Sequence, residues 1–225
     1  MNKKFKSAIN QQVAVIGLGR FGTKMTRTLY ENGCEVMAID SSEERTLAVA
    51  DFATHTVVAD ASDEATLRRL GIAGFDVVVI AIGENMQASI VCALICKEMQ
   101  AKFIVAKAQD DNHAKILSKI GVDRIVIPDA YSAVRTAASI INPAVYDMLE
   151  LEEGYDVAKI EALNGWKGRS IKELNVRSKF GVNILTIIKN DNSFVNPVAD
   201  TVIEEGDKII IGGLSDAIKA FIYRN

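Results

Sequence analysis

Residues 13–22 read VAVIGLGRFG, a β-branched and small apolar run that ends in Gly17, Gly19 and Gly22. The pattern predicts a buried strand, a tight turn and the opening of a helix in immediate succession. Gly17 permits the tight turn, Gly19 lets another group approach bare backbone, and Gly22 lets the helix lie close on the strand. The N–H groups of such a turn, together with the helix start, form an anion site of the kind that cradles phosphates. The next apolar run, EVMAID, ends in Asp40. An acid at that separation accepts hydrogen bonds from ribose hydroxyls and repels a 2′-phosphate. Strand, glycines, helix and acid in this order point to a nucleotide.

The rest of the first ~140 residues repeats the alternation of short apolar strands and longer helical stretches. Strands are expected at 12–17, 35–40, 54–60, 76–82, 103–108 and 124–129, with helices near 20–32, 42–51, 63–70, 84–99 and 110–119. Several strands are continuous apolar runs, as in a parallel sheet covered on both faces. The expected fold is therefore α/β, a Rossmann-like, doubly wound parallel sheet with right-handed crossovers. Around residues 130–150 a long helical pattern is interrupted at Asn142-Pro143, where proline forces a kink or break. Its excess of apolar residues suits a dimerisation or domain-linking element. Beyond it, strands at 155–163, 182–190 and 208–213, a short helix and loop over 168–181 and a turn at 190–193 predict a small α+β domain. The expected division is 1–130, 131–150 and 151–225.

Composition limits the partners. A net charge of −3 without a basic tract argues against nucleic acid. The most apolar stretches fall short of the ~20 residues that a membrane span requires, and the first residues lack an apolar leader core. The expectation is a cytosolic protein with no membrane insertion of its own. The three cysteines fit a reducing compartment, and Cys92 and Cys96 read as core residues at helical spacing.

Arg20 is the unusual member of the turn, beside Phe21. A forked, permanently charged donor at the helix mouth suits terminal phosphate oxygens, which favours ADP or ATP and leaves NAD as the alternative. After the third strand, Asp60 and Ala61 stand where adenine lies in such sheets; Asp60 and Ser62 read equally as turn and cap residues. Glu84 and Asn85 cap the next helix or face the ligand, and Lys107 closes the fifth strand within reach of it. His55 and His113 form no acid–base constellation, so a dehydrogenase lacks its proton donor.

Taken together, VAVIGLGRFG, EVMAID, VVVIAIGENMQAS, VAKAQ, HAKILSKIGVDRIVIPD and VRSKFGVNILTI resemble the RCK (TrkA-N/TrkA-C) family over nearly the whole chain. The resemblance is to the cytosolic regulatory subunits of bacterial Ktr potassium uptake systems. It implies an N-terminal nucleotide-binding domain, a crossover helix and a small C-terminal domain. It further implies dimers, arranged as an octameric ring, beneath an integral-membrane potassium-translocating subunit at the inner face of the membrane. ATP and ADP would compete for one site and set two ring shapes, ATP favouring the transporting one. Arg20 would contact the terminal phosphate, Asp40 the ribose, and Asp60 with Ala61 the adenine. Asp129 stands where relatives use a glutamate to help hold a divalent cation such as Mg²⁺; its other reading is a helix cap. Val176, Arg177, Asn183, Ile184 and Pro197 match a cyclic di-AMP pocket in the C-terminal domain. The alternative readings are an NAD-dependent oxidoreductase and an NAD-sensing regulator.

Overall fold

The structure, a computed structural model, describes residues 10–152 and 154–224. Of the first residues, read above as lacking an apolar leader core, 1–9 lie outside the described residues. The chain forms two compact units, one up to Asp129 and one from Ala130.

In the first unit, β1 (Gln12–Ile16), α1 (Arg20–Glu31), β2 (Glu35–Asp40), α2 (Glu43–Leu47) and β3 (His55–Val58) build one half. The other half is α3 (Glu64–Arg69), β4 (Val77–Ile80), α4 (Met86–Glu98), β5 (Ile104–Lys107), α5 (Asp111–Ile120) and β6 (Arg124–Val126). The strands are all parallel, in the order β3-β2-β1-β4-β5-β6. The order reverses between β1 and β4, where open sheets bind ligands at their carboxyl ends.

Alternation along the central strands shows why the runs are wholly apolar. Ala14, Ile16, Val78 and Ile80 join a core with Leu67, Cys92, Cys96 and Leu117 of α3, α4 and α5. Val13, Val15 and Val79 face the opposite core, against Phe21, Met25 and Leu29 of α1 and the buried Val49 and Phe52. Each face is covered, so each strand position needs an apolar side chain. Cys92 and Cys96 are packing residues; the hydrogen bond that the Cys92 thiol donates to Cys96, together with burial, pushes that thiol well above its usual range.

Helix α6 (Pro128–Ile141) follows, and Asn142-Pro143 ends it as expected. The segment after the proline is not helical: it forms strand β7 (Val145–Glu152), correcting the helical reading of residues 145–150. Strands β7, β8 (Tyr155–Glu161), β9 (Val182–Ile188), β10 (Phe194–Val195) and β11 (Lys208–Leu214) make an antiparallel sheet in the order β10-β9-β11-β8-β7. Two short helices, α7 (Ile171–Leu174) and α8 (Val176–Phe180), and a terminal helix, α9 (Ser215–Arg224), complete the unit. Ile218, Phe221 and Ile222 of α9 are buried in its core with Trp166, Ile187 and Ile211. No described helix is long and apolar enough to cross a membrane.

Candidate nucleotide cleft and a second pocket

The glycine turn is built by three different constraints. Gly17 has φ +92°, and a Cβ there would lie 2.8 Å from the backbone of Ala81 and Ile82. At Gly22 a Cβ would collide with the Gly17 carbonyl oxygen, so this residue works from beneath the turn and does not line the cleft. Gly19 has open space around it. It precedes α1 with no side-chain cap, and the first turn of α1 contains no acid. The helix opens bare toward the cleft, an arrangement suited to an anion.

That cleft has a volume of 680 Å³ and lies over the carboxyl ends of the strands. Gly17, Gly19, Arg20 and Phe21 line it from the turn, Asp40 from β2, Asp60 and Ala61 beyond β3, Glu84 beyond β4, Lys107 from β5 and Asp129 from α6. Ten of the eleven residues singled out for this site therefore meet on one surface; Gly22 is the exception.

Asp40 is nearly buried. Its Oδ2 accepts from the Leu18 N–H at 2.7 Å and its Oδ1 from the Ser42 N–H at 2.9 Å. The carboxylate thus braces the phosphate turn while facing the cleft. Asp60 accepts from the Ser62 hydroxyl at 2.7 Å and the Ser62 N–H at 2.9 Å, and these bonds hold its carboxyl below the usual range. Asp60 and Ser62 thus form a turn, but the cap of α3 is Asp63. Asn85 caps α4, accepting from the Ala88 N–H at 3.0 Å, which leaves Glu84 exposed at the cleft mouth. Asp129 is the second residue of α6, behind Pro128, and so sits in the first turn rather than at the cap.

The cations are unevenly engaged. Arg45, absent from the sequence-based set, lies 3.8 Å from Asp40 and 3.9 Å from Glu84 and spans the mouth. Among the described residues Arg20 and Lys107 have no carboxylate partner within 4 Å. His113 is buried; its Nδ1 accepts from the Gln109 N–H at 3.2 Å, and burial lowers its pKa. His55 opens the edge strand β3, away from His113 in the fold.

The second unit carries a separate pocket of 370 Å³. Val176, Arg177, Asn183, Ile184 and Pro197 all line it, joined by Lys172 and Asn175. Asn175 takes φ +48° between α7 and α8, turning the chain so that Val176 is buried and Arg177 exposed.

Two family models match the chain. The TrkA-N domain matches residues 13–128 and the TrkA-C domain residues 158–222. The chain is 43% identical over 209 residues to Ktr system potassium uptake protein C of Bacillus subtilis (strain 168), spanning 92% of this chain and 95% of that protein. It is 40% identical over 212 residues to Ktr system potassium uptake protein A of the same organism, spanning 94% and 96%. Among solved structures, the RCK domain of GsuK superposes with a TM-score of 0.66 at 16% identity, covering 97% of this chain and 48% of that one, which establishes the likeness of fold. By sequence and architecture alike, the chain belongs to the TrkA-N/TrkA-C family, among the Ktr-type potassium uptake proteins.

Proposed function

We propose that this protein is the cytosolic, nucleotide-sensing regulatory subunit of a Ktr-type potassium uptake system, acting at the inner face of the membrane through an integral-membrane potassium-translocating partner. The observation that carries the reading is the chemistry of the 680 Å³ cleft: Arg20 opens an uncapped helix with no acid in its first turn, Asp40 braces the glycine turn, and among the described residues neither Arg20 nor Lys107 has a carboxylate within 4 Å. Adenine would lie by Asp60 and Ala61, ribose hydroxyls would donate to Asp40, and the phosphates would rest over Gly19. Arg20 would then meet the terminal phosphate. A regulator needs ligands that favour different conformations, because equal affinity for both shifts nothing. ATP and ADP differ by the one group that Arg20 is placed to feel.

Self-association, as a dimer and as an octameric ring, is part of this proposal. It is supported by α6, which buries only Ala138 and exposes Tyr131, Val134, Ile140 and Ile141. Among the described residues no cluster of three or more metal-ligating side chains exists. A cation such as Mg²⁺ would therefore be held by Asp129 together with phosphate oxygens and water, which suits a hard ion. In the second unit, the apolar walls and Arg177 of the 370 Å³ pocket suit the bases and a phosphate of cyclic di-AMP.

Calorimetric titration of the intact protein and of Arg20→Ala with ATP, ADP and NADH tests the central claim. Arg20→Ala should weaken ATP by about ten-fold or more, the worth of a charge-assisted phosphate contact, and ADP distinctly less. Equal losses for both would refute the sensing role. Tighter binding of NADH than of either adenine nucleotide would favour the dinucleotide reading, which the fold alone also permits.

A further inference from the structure

The cleft does not end at Arg20. A second cavity of 560 Å³ opens there, and the two share Gly19, Arg20, Arg45 and Glu84 in their walls. It continues along the outer side of α1, where Lys24 and Arg27 follow Arg20 at helical spacings of four and seven. Its charged lining is Arg20, Lys24, Arg27 and Arg45 against Glu84 alone, in a chain whose net charge is −3. Glu84 is already engaged by Arg45 at 3.9 Å.

This arrangement works against the helix that carries it. Arg20 opens α1, in the turn where the helix dipole disfavours positive charge, and Lys24 and Arg27 follow within the first eight residues. Arg20 and Lys24 stand four apart and Lys24 and Arg27 three apart, so the like charges also repel. No acid in the first turn offsets them. Arg27 lies over the Phe52 ring at 3.9 Å, and among the described residues no carboxylate lies within 4 Å of its guanidinium. An anion in the cavity would meet every one of these charges at once.

We propose that the cavity takes the distal phosphates of a nucleoside polyphosphate whose chain is longer than three. The inference rests on the nucleotide reading of the main cleft and extends it. With ribose at Asp40 and the third phosphate at Arg20, a fourth and any later phosphate pass between Arg20 and Arg45 toward Lys24 and Arg27. Continuity with the nucleotide cleft is what favours a phosphate chain over a separate acidic peptide.

The test compares ATP with adenosine 5′-tetraphosphate on the full-length protein, by calorimetry at fixed ionic strength. The tetraphosphate should bind about ten-fold tighter than ATP, as one added charge-assisted contact predicts. Lys24→Gln with Arg27→Gln should cut that advantage below about two-fold, while ATP affinity stays within about two-fold of wild type. Lys24→Gln alone, which leaves the Phe52 contact intact, should remove part of it, and thermal unfolding checks that each variant is folded. ATP binding with no tetraphosphate advantage, or an advantage kept in the double variant, overturns this inference and leaves the cleft reading standing. Failure of ATP and ADP to bind at all overturns both. A poly-glutamate peptide that binds without nucleotide, where the tetraphosphate gains nothing, would give the cavity to an acidic segment and overturn the proposal.

Discussion

Gly19 and Gly22 stand three residues apart in one turn, and replacing each by alanine should separate binding from folding. Gly19 has φ −68°, which any residue adopts, and nothing lies within 4 Å of the Cβ it lacks. Gly19→Ala should therefore change stability by less than about 1 kcal/mol, while its methyl group stands where a phosphate must approach and weakens ADP by about ten-fold or more. Gly22→Ala drives a Cβ into the Gly17 carbonyl and should destabilise the first unit by more than about 2 kcal/mol, with binding lost as a consequence. Urea unfolding beside calorimetric titration distinguishes the two; a stable, binding-competent Gly22→Ala would contradict the packing account. Both glycine roles were legible because the turn is local: strand, glycines and helix follow one another without a gap. Asp40 was legible for the same reason, since β2 returns directly alongside β1. Arg45 was not. It belongs to no motif, and only the short helix α2 brings it back over Asp40 and toward Glu84, a residue that arrives from a different strand end.

At the scale of elements, the central parallel strands β1 and β4 announced themselves through unbroken apolar runs, whereas β7 did not. Its buried residues include Val145 and Met148, three apart, with Tyr146, Leu149 and Leu151 exposed. That spacing imitates a helix. The cause is two register shifts in the pairing with β8, between Val145 and Asp147 and between Glu150 and Glu152, which break the two-residue alternation of a strand. The terminal helix α9 offered only Ile218, Phe221 and Ile222 as a buried face, a signal one turn wide. The junction of α6 and β7 is held by Arg135, whose Nε and Nη2 donate to the two carboxylate oxygens of Asp147 at 2.7 and 2.6 Å. The Arg135 hydrogen bonds hold the Asp147 carboxyl below its usual range. A depressed folded pKa means that the stabilisation is present above the ordinary carboxylate range and is lost as pH falls through the lowered value. Both side chains are about half exposed, at 52% and 45%, so solvent screens the pair and Asp147→Asn should cost less than about 1 kcal/mol at neutral pH. The difference between variant and wild type should vanish in acid. A gap that persists or widens there would assign the effect to something other than this ion pair.

At the scale of the whole molecule, each unit has its own core and its own pocket. Residues up to Asp129 supply both apolar layers around the parallel sheet and the walls of the 680 Å³ cleft. The 370 Å³ pocket is lined wholly by residues between Ile171 and Ala199, over a core that draws only on the second unit. A ligand stabilises what it binds by RT ln(1 + [L]/Kd), about 2.7 kcal/mol at a hundred-fold excess over Kd, and leaves a separately folding unit where it was. Scanning calorimetry should accordingly resolve two transitions. ATP or ADP should raise one of them, and cyclic di-AMP, if it occupies the second pocket as proposed, should raise the other. Arg20→Ala should reduce the ATP-dependent shift of the first transition and leave the cyclic di-AMP shift of the second untouched, since that residue touches only the first cavity system. A single transition that moves with either ligand would mean that the two cores melt as one. Nucleotide and cyclic dinucleotide would then act on a common cooperative unit, and signalling between them would need no rearrangement of one unit against the other.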